Sequence, residues 1–449
     1  AERLARDLYA SGRLQTIERW VERLHTEQAR VPNLMLAMAN SLRNRGNEAE
    51  AEALLIQVRQ TIGSSANREI RARLEVAFGY LYCQQGKYDK AIKSAERVDQ
   101  LYPGRGNRRH QGAALGIRAL ALAKGKGDYS GAERLAIEAV ALISQAGNRY
   151  DVMATLIDLS AWQGTQGKNR EANRTDEQVL ELAREIGAPL PLSVAFGNRV
   201  VGAHGLGEYE RALDMGREAL KYARQAASPL REAISLLRQA DVFNDIGLAL
   251  QSAELYGQAI SILTQIENAE WLRYACVQTS VLHRRRGGAG LAHEWLRRAL
   301  VLDESKEAPP EVRIQLAALE IQPAPEQAIE TIRGLRKRRA QRLDASDLTL
   351  AHYFQACAEL RQGYQEKALG SLREAVAHAG SHGTEQAIAA EMRLDEEMQA
   401  FATKHFGSDP SFLVILGRME LMEALERRYE VNQEQEPAGL RIELKALGT

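Results

Sequence analysis

The residues best equipped for chemistry are scattered along this sequence. Of nine histidines only His378 and His382 stand four apart, the spacing that lets two imidazoles share a metal. Gly380 and Gly383 beside them read instead as an ordinary polar loop. Three cysteines (Cys83, Cys276 and Cys357), odd in number and far apart, offer neither a disulfide framework nor a zinc pattern. They read as small core residues and suit a reducing cytoplasm. There is no nucleophile-elbow Gly-x-Ser-x-Gly and no zincin His-Glu-x-x-His. Gly125-Lys126-Gly127 lacks the spacing and the hydroxyl residue of a phosphate-binding loop. No catalytic residue, metal or cofactor is assigned, and the protein is expected not to be an enzyme.

Binding chemistry is better represented. Asn40, Arg43, Tyr80, Gln84, Arg118, Asp158, Asn198 and His204 recur at comparable places along the chain, followed by Asn244, Asp245, Gln251, Tyr274, Gln278 and Arg284. Together they offer hydrogen-bond donors, acceptors and stacking planes, a mixture that suits a polar effector or peptide better than a greasy one. Singly, each also fits a solvated polar face. Two basic runs, His283–Arg286 and Arg333–Arg339 continuing to Arg342, contain no interleaved aromatics. Both read as solvated helix ends, where cations complement the helix dipole. Lys and Arg number 59, as do Asp and Glu, so the broad basic field that nucleic-acid binding needs is missing.

The elements that must position the polar set are helices. Gln85-Gly86-Lys87-Tyr88-Asp89-Lys90-Ala91, closed by Pro103, reads as the turn between two antiparallel helices. Gly86 ends the first in a left-handed conformation, Tyr88 plugs the angle, and Ala91 lets the backbones approach. The phrase returns as Gly127-Asp128-Tyr129 with Ala132, Gly167 with Ala172, and Gly207-Glu208-Tyr209 with Ala212, at steps of 41, 40 and 40 residues. Weaker copies place further marks at Ile17, Ala51, Ala259, Ala292, Ala328 and Ala368, with Glu254 and Pro323 at two of the turns. About ten repeats follow. Hydrophobic residues at 45% supply a continuous core, and helical periodicity rules throughout.

The expected fold is all-α, a right-handed superhelical solenoid of about ten helix-turn-helix repeats, in which the first helix of each pair lines a concave groove. A step near 40 implies helices about one turn longer than a 34-residue repeat needs, or wider loops. Residues 1–380 form the array, 381–431 a terminal pair with helices near 384–405 and 410–431, and 432–449 a linker and first strand (Leu440–Gly448) of a further domain. A break at 303–325 reads as a long loop. No apolar run approaches the ~20 residues of a membrane span. The chain starts without Met inside an amphipathic pattern and reads as a fragment.

Two resemblances add to this. Gly79, Tyr82, Gly86, Tyr88, Ala91 and Pro103 resemble the tetratricopeptide repeat. Gly12-Arg13-Leu14, Trp20, Leu24, Pro32-x-Leu34, Ala37, Leu42, Gly46, Ala49 and Leu54 resemble the start of the sensor region of MalT-like bacterial transcription activators, signal-transduction ATPases with numerous domains. Those regulators are of the LuxR or SARP type, and the Leu440–Gly448 strand is similar to the entry of a winged-helix DNA-binding or bacterial transcriptional-activator domain. The resemblance implies a cytoplasmic sensor that binds a small polar effector, a peptide or a partner protein in its groove. It would relay the signal, with possible self-association, to ATPase and DNA-binding domains outside this fragment. A passive interaction scaffold and a peptide-pheromone receptor are the alternatives.

Overall fold

A computed structural model describes residues 32–62, 67–103, 107–147, 149–187, 189–302, 308–339 and 343–434. Its 21 described helices, with no strand among the described residues, form tandem antiparallel pairs of the TPR-like repeat-solenoid class. The chain divides into two compact units: 1–202 with 217–232, and 203–216 with 233–449.

In the first unit the pairs are α1 (Pro32–Arg45) with α2 (Glu48–Ile62), α3 (Arg68–Gln84) with α4 (Tyr88–Leu101), α5 (Arg108–Lys126) with α6 (Tyr129–Gln145), and α7 (Arg149–Thr165) with α8 (Asn169–Ile186). Most of α9 (Pro189–Gly205) follows. From α1 to α8 each helix packs on the next. The first helices α1, α3, α5 and α7 also touch one another in sequence, which makes their shared row a crowded face. Ala51, Ala91 and Ala132 are fully buried, as a close helix–helix approach requires. Around them pack Leu54, Leu55, Phe78 and Leu81, then Ile117 and Val98, then Leu156, Leu159 and Trp162.

The second unit holds most of α11 (Pro229–Asp245), then α12 (Ala249–Gln265), α13 (Ala269–Arg285), α14 (Ala289–Val301), α15 (Pro310–Glu320), α16 (Pro325–Arg339), α17 (Ala345–Arg361) and α18 (Gln365–His382). It ends in α19 (Glu385–Met392), α20 (Glu396–Phe406) and α21 (Pro410–Glu434). The division does not fall at the 303–325 break. α10 (Tyr209–Gln225) contributes residues to both units.

The 40-residue step comes from longer helices. α9 to α13 each span 17 residues. Three-residue turns join them, and both turns of a repeat carry a left-handed residue. Within pairs these are Gly46, Gly86, Gly127, Gly167, Gly207, Gly247, Gly287 and Gly363. Between pairs they are Gly147, Gly187, Ala227 and Glu267.

Gly247 corrects the register read from sequence. The turn lies there and not at Glu254, so the small-residue mark is Ser252 and not Ala259. Irregular steps around Ala259 vanish. The repeat was hidden because Ser replaces Ala; its buried hydroxyl donates to the Ala240 carbonyl at 2.9 Å, which lets a polar group occupy the contact.

Two further expectations change. The helix expected at 384–405 is broken at 393–395, where Asp395 caps α20 by accepting from the Met398 N–H at 3.0 Å. His378 and His382 lie within α18, not in a loop, with their rings stacked at 4.0 Å; among the described residues no cluster suits a metal. The three cysteines are buried and unpaired. The Leu440–Gly448 strand lies outside the described residues, as does the 12–31 part of the Gly12–Leu54 resemblance.

Candidate functional site

In the first unit the crowded row of first helices carries the predicted polar residues. Arg43 of α1 sets its guanidinium 5.6 Å from the Tyr80 ring centroid. Its backbone carbonyl accepts from Gln84 Nε2 at 3.3 Å, tying α1 to α3. Tyr80 reaches over α5, where Gly116 makes room: a Cβ there would stand 2.8 Å from the tyrosine hydroxyl. Asp158 of α7 is half-buried, and burial pushes its carboxyl up to about 6 against the pull of Lys124, Arg43 and Arg231. Its negative charge in turn adds to the burial that raises the Tyr80 hydroxyl. Neither the Tyr80 hydroxyl nor the Asp158 carboxylate makes a hydrogen bond within the described residues.

The row brings together Arg43, Tyr80, Gln84 and, through its field, Asp158. Asn40 is half-buried on α1. Asn198 donates to the Ile157 carbonyl at 3.3 Å, a cross-brace between α9 and α7. Arg118 leaves the row: it turns to Asp99 at the end of α4 and is held there by an ion pair. Sequence reasoning missed Lys124 and Arg231. Lys124 stands 40 residues after Gln84, so strict use of the period would have found it.

In the second unit the row serves another purpose. Asp245, at the end of α11, meets His204 Nε2 at 2.9 Å and Arg285 of α13 at 2.6 Å. Arg284 grips Glu391 of α19 with two hydrogen bonds, 2.9 and 2.7 Å, and Arg285 adds a third at 3.0 Å. Burial would raise the Glu391 carboxyl, but the two guanidiniums outweigh it and hold it at about 2. Asp245 likewise lies below its ordinary value, because Arg285 and His204 overcome its burial. The Gln386 amide stands 3.1 Å from His204 Nε2, and Arg418 of α21 donates to the Gly205 carbonyl at 2.8 Å.

The basic run at 284–286 is therefore not a simple solvated helix end, since Arg284 and Arg285 are largely enclosed and paired. A partner acid 106 residues away could not be read from local spacing. In the other run, Arg333 and Arg336 pair with Glu359 and Glu374.

Asn244 is buried beside Asp245. Tyr274 donates to Asp241 at 2.7 Å, as does Tyr256 at 2.6 Å. Burial carries the Asp241 carboxyl up to about 6 despite both donors. Gln278 is half-buried on α13. Gln251 does not belong to the row: it lies on α12, the second helix of its pair, because the turn falls at Gly247.

No protein-family profile matches the chain, and no curated protein matches it either. Solved structures do. A Rap protein complexed with competence and sporulation factor aligns with a TM-score of 0.61 at 13% identity, over 79% of this chain and 99% of that one. NprR in complex with its cognate peptide NprX aligns at 0.51 and 16%, over 75% and 97%. Aspartyl phosphate phosphatase F from Bacillus subtilis aligns at 0.51 and 14%, over 77% and 92%. At these identities the likeness is one of fold.

Proposed function

We propose that this chain is a non-catalytic sensing domain that binds an extended polar peptide on the first-helix row of its first unit. The observation that carries this is the Arg43–Tyr80–Asp158 group. It holds a half-buried carboxylate and a phenol hydroxyl, both lacking hydrogen bonds within the described residues, beside a cation and on the first helices α1, α3 and α7. Half-buried and still reached by solvent, such groups exchange water for a ligand that supplies a donor to the carboxylate and an acceptor to the phenol. Two solved proteins of similar fold, Rap and NprR, were crystallised with competence and sporulation factor and with the peptide NprX, which supports a peptide over a sugar.

The ligand acts by binding one arrangement of the stacked pairs better than another, since only differential affinity shifts such an equilibrium. The setting of this sensor is a transcription regulator of the MalT-like kind, a reading that rests on the residues of the 12–54 segment. The gene sequence on either side checks it: neighbouring ATPase and DNA-binding domains support it, and their absence from the full gene overturns it.

The peptide reading is tested by thermal unfolding against a peptide library, with Asp158→Asn and Tyr80→Phe as controls. A true ligand at ten times its Kd adds about 1.4 kcal/mol of stability. Both substitutions should reduce that gain. If no peptide shifts the transition while a partner protein co-purifies stoichiometrically, a protein-binding scaffold replaces the peptide receptor.

A further inference from the structure

The Arg284–Arg285 pair is more than a brace. Arg284 presents its two terminal nitrogens to the two oxygens of Glu391, the planar fork-to-fork geometry that recognises carboxylates. Arg285 divides its donors between Asp245 and Glu391. If Glu391 is taken away, Asp245 still neutralises one guanidinium, while Arg284 keeps its Nε–H to Gln315 Oε1 at 3.2 Å and loses the carboxylate from both terminal nitrogens in an enclosed place. The site is then a cationic receptor for one carboxylate.

Its occupant arrives from far along the chain. Glu391 lies on α19, an eight-residue helix bounded by the break at 393–395. Repeat stacking joins neighbours only, so α13 does not need α19 in order to pack on α14. A second anchor lies five residues before Glu391, where Gln386 stands against His204. The segment, which itself packs on α17, α18 and α21, thus offers an amide and a carboxylate on one short helix.

We propose that the Arg284–Arg285 fork, with Asp245 and His204, is a recognition site for an acidic helical peptide, and that α19 is its resident occupant, exchangeable for such a peptide in trans. This does not depend on the peptide site of the first unit, which lies on other residues.

The probe is a fluorescein-labelled, end-blocked peptide of residues 384–397, with a control peptide carrying Glu391→Gln. Fluorescence polarisation measures both against the full chain and against the full chain with Glu391→Ala. The expected result has two parts. The variant binds the probe at least about tenfold more tightly than the unaltered chain does, and it prefers the probe to the control by about tenfold. Absence of binding, or equal binding of probe and control, overturns the proposal.

Because Glu391→Ala leaves cations orphaned, circular dichroism first checks its folding. If it unfolds, hydrogen exchange on the unaltered chain decides. Amides of 385–392 should exchange through a local opening while those of 269–285 stay protected. If both exchange only together, in global unfolding, Glu391 is a fixed structural bond and the proposal fails.

Discussion

At the scale of single residues, strain takes two forms, a side chain in a left-handed turn and a carboxyl raised by burial. Ala227 and Glu267 sit at φ 46° and 53°, in turns where the equivalent positions 147 and 187 hold glycine. A side chain in this left-handed region costs about 1–2 kcal/mol, partly offset by the entropy that glycine loses on folding. Ala227→Gly and Glu267→Gly should therefore each stabilise by about 0.5–1 kcal/mol, read from denaturant midpoints. Asp158 carries the second strain. Its folded pKa of about 6 lies above the ordinary 3.8, so between these values the folded chain binds more protons than the unfolded one. Its contribution to stability is favourable at the acid side and is lost as pH rises through about 6. Asp158→Asn should flatten this part of the stability–pH curve; an unchanged slope would show that the carboxyl is not raised. A peptide that donates to the carboxylate should bind more tightly above pH 6 than below it, and the variant should lose that dependence.

At the scale of the helix pair, the small-residue mark governs how closely two helices meet. Ser252 and Ala91 are both fully buried, and the Ser252 hydroxyl meets a carbonyl of its partner helix. Ser252→Ala should be nearly neutral, because it loses one shared hydrogen bond and restores the residue used in the other repeats. Ala91→Leu and Ser252→Leu overpack the contact and should each cost about 1–3 kcal/mol or more in urea unfolding. Equal effects of Ser252→Ala and Ser252→Leu would sink the assignment of Ser252 to the mark.

For the molecule as a whole, the two units each have their own core, and a stack of repeats transmits stability mainly between neighbours. Trp162 lies in the first core and Trp271 in the second unit, so each can report on its own surroundings. With single-tryptophan versions, Ala91→Leu should lower the unfolding midpoint seen by Trp162 more than that seen by Trp271. Identical shifts at both reporters would mean that the chain unfolds as one cooperative block.

The repeat itself was legible in the sequence because its signals are local. Gly86, Tyr88 and Ala91 lie within six residues, and each satisfies a requirement of one turn: a left-handed backbone, a wedge, a close approach. A Gly-based reading lost the register only where Ser252 stood in for Ala, since a hydroxyl is tolerated there through a carbonyl on the facing helix that sequence does not reveal. The polar row could be read in the same way, by counting from the turn glycine: of its fourteen expected residues all but Gln251 lie on first helices. What the row does could not. Arg43, Tyr80 and Asp158 become a group only when α1, α3, α5 and α7 are stacked. Arg284, chosen as a groove residue, proved to be held by Glu391, more than one hundred residues away in sequence. Charge pairing of that kind depends on where two distant helices come to rest in space. Composition and period fix the helices, whereas only tertiary packing decides which polar groups are left facing a ligand and which are already satisfied.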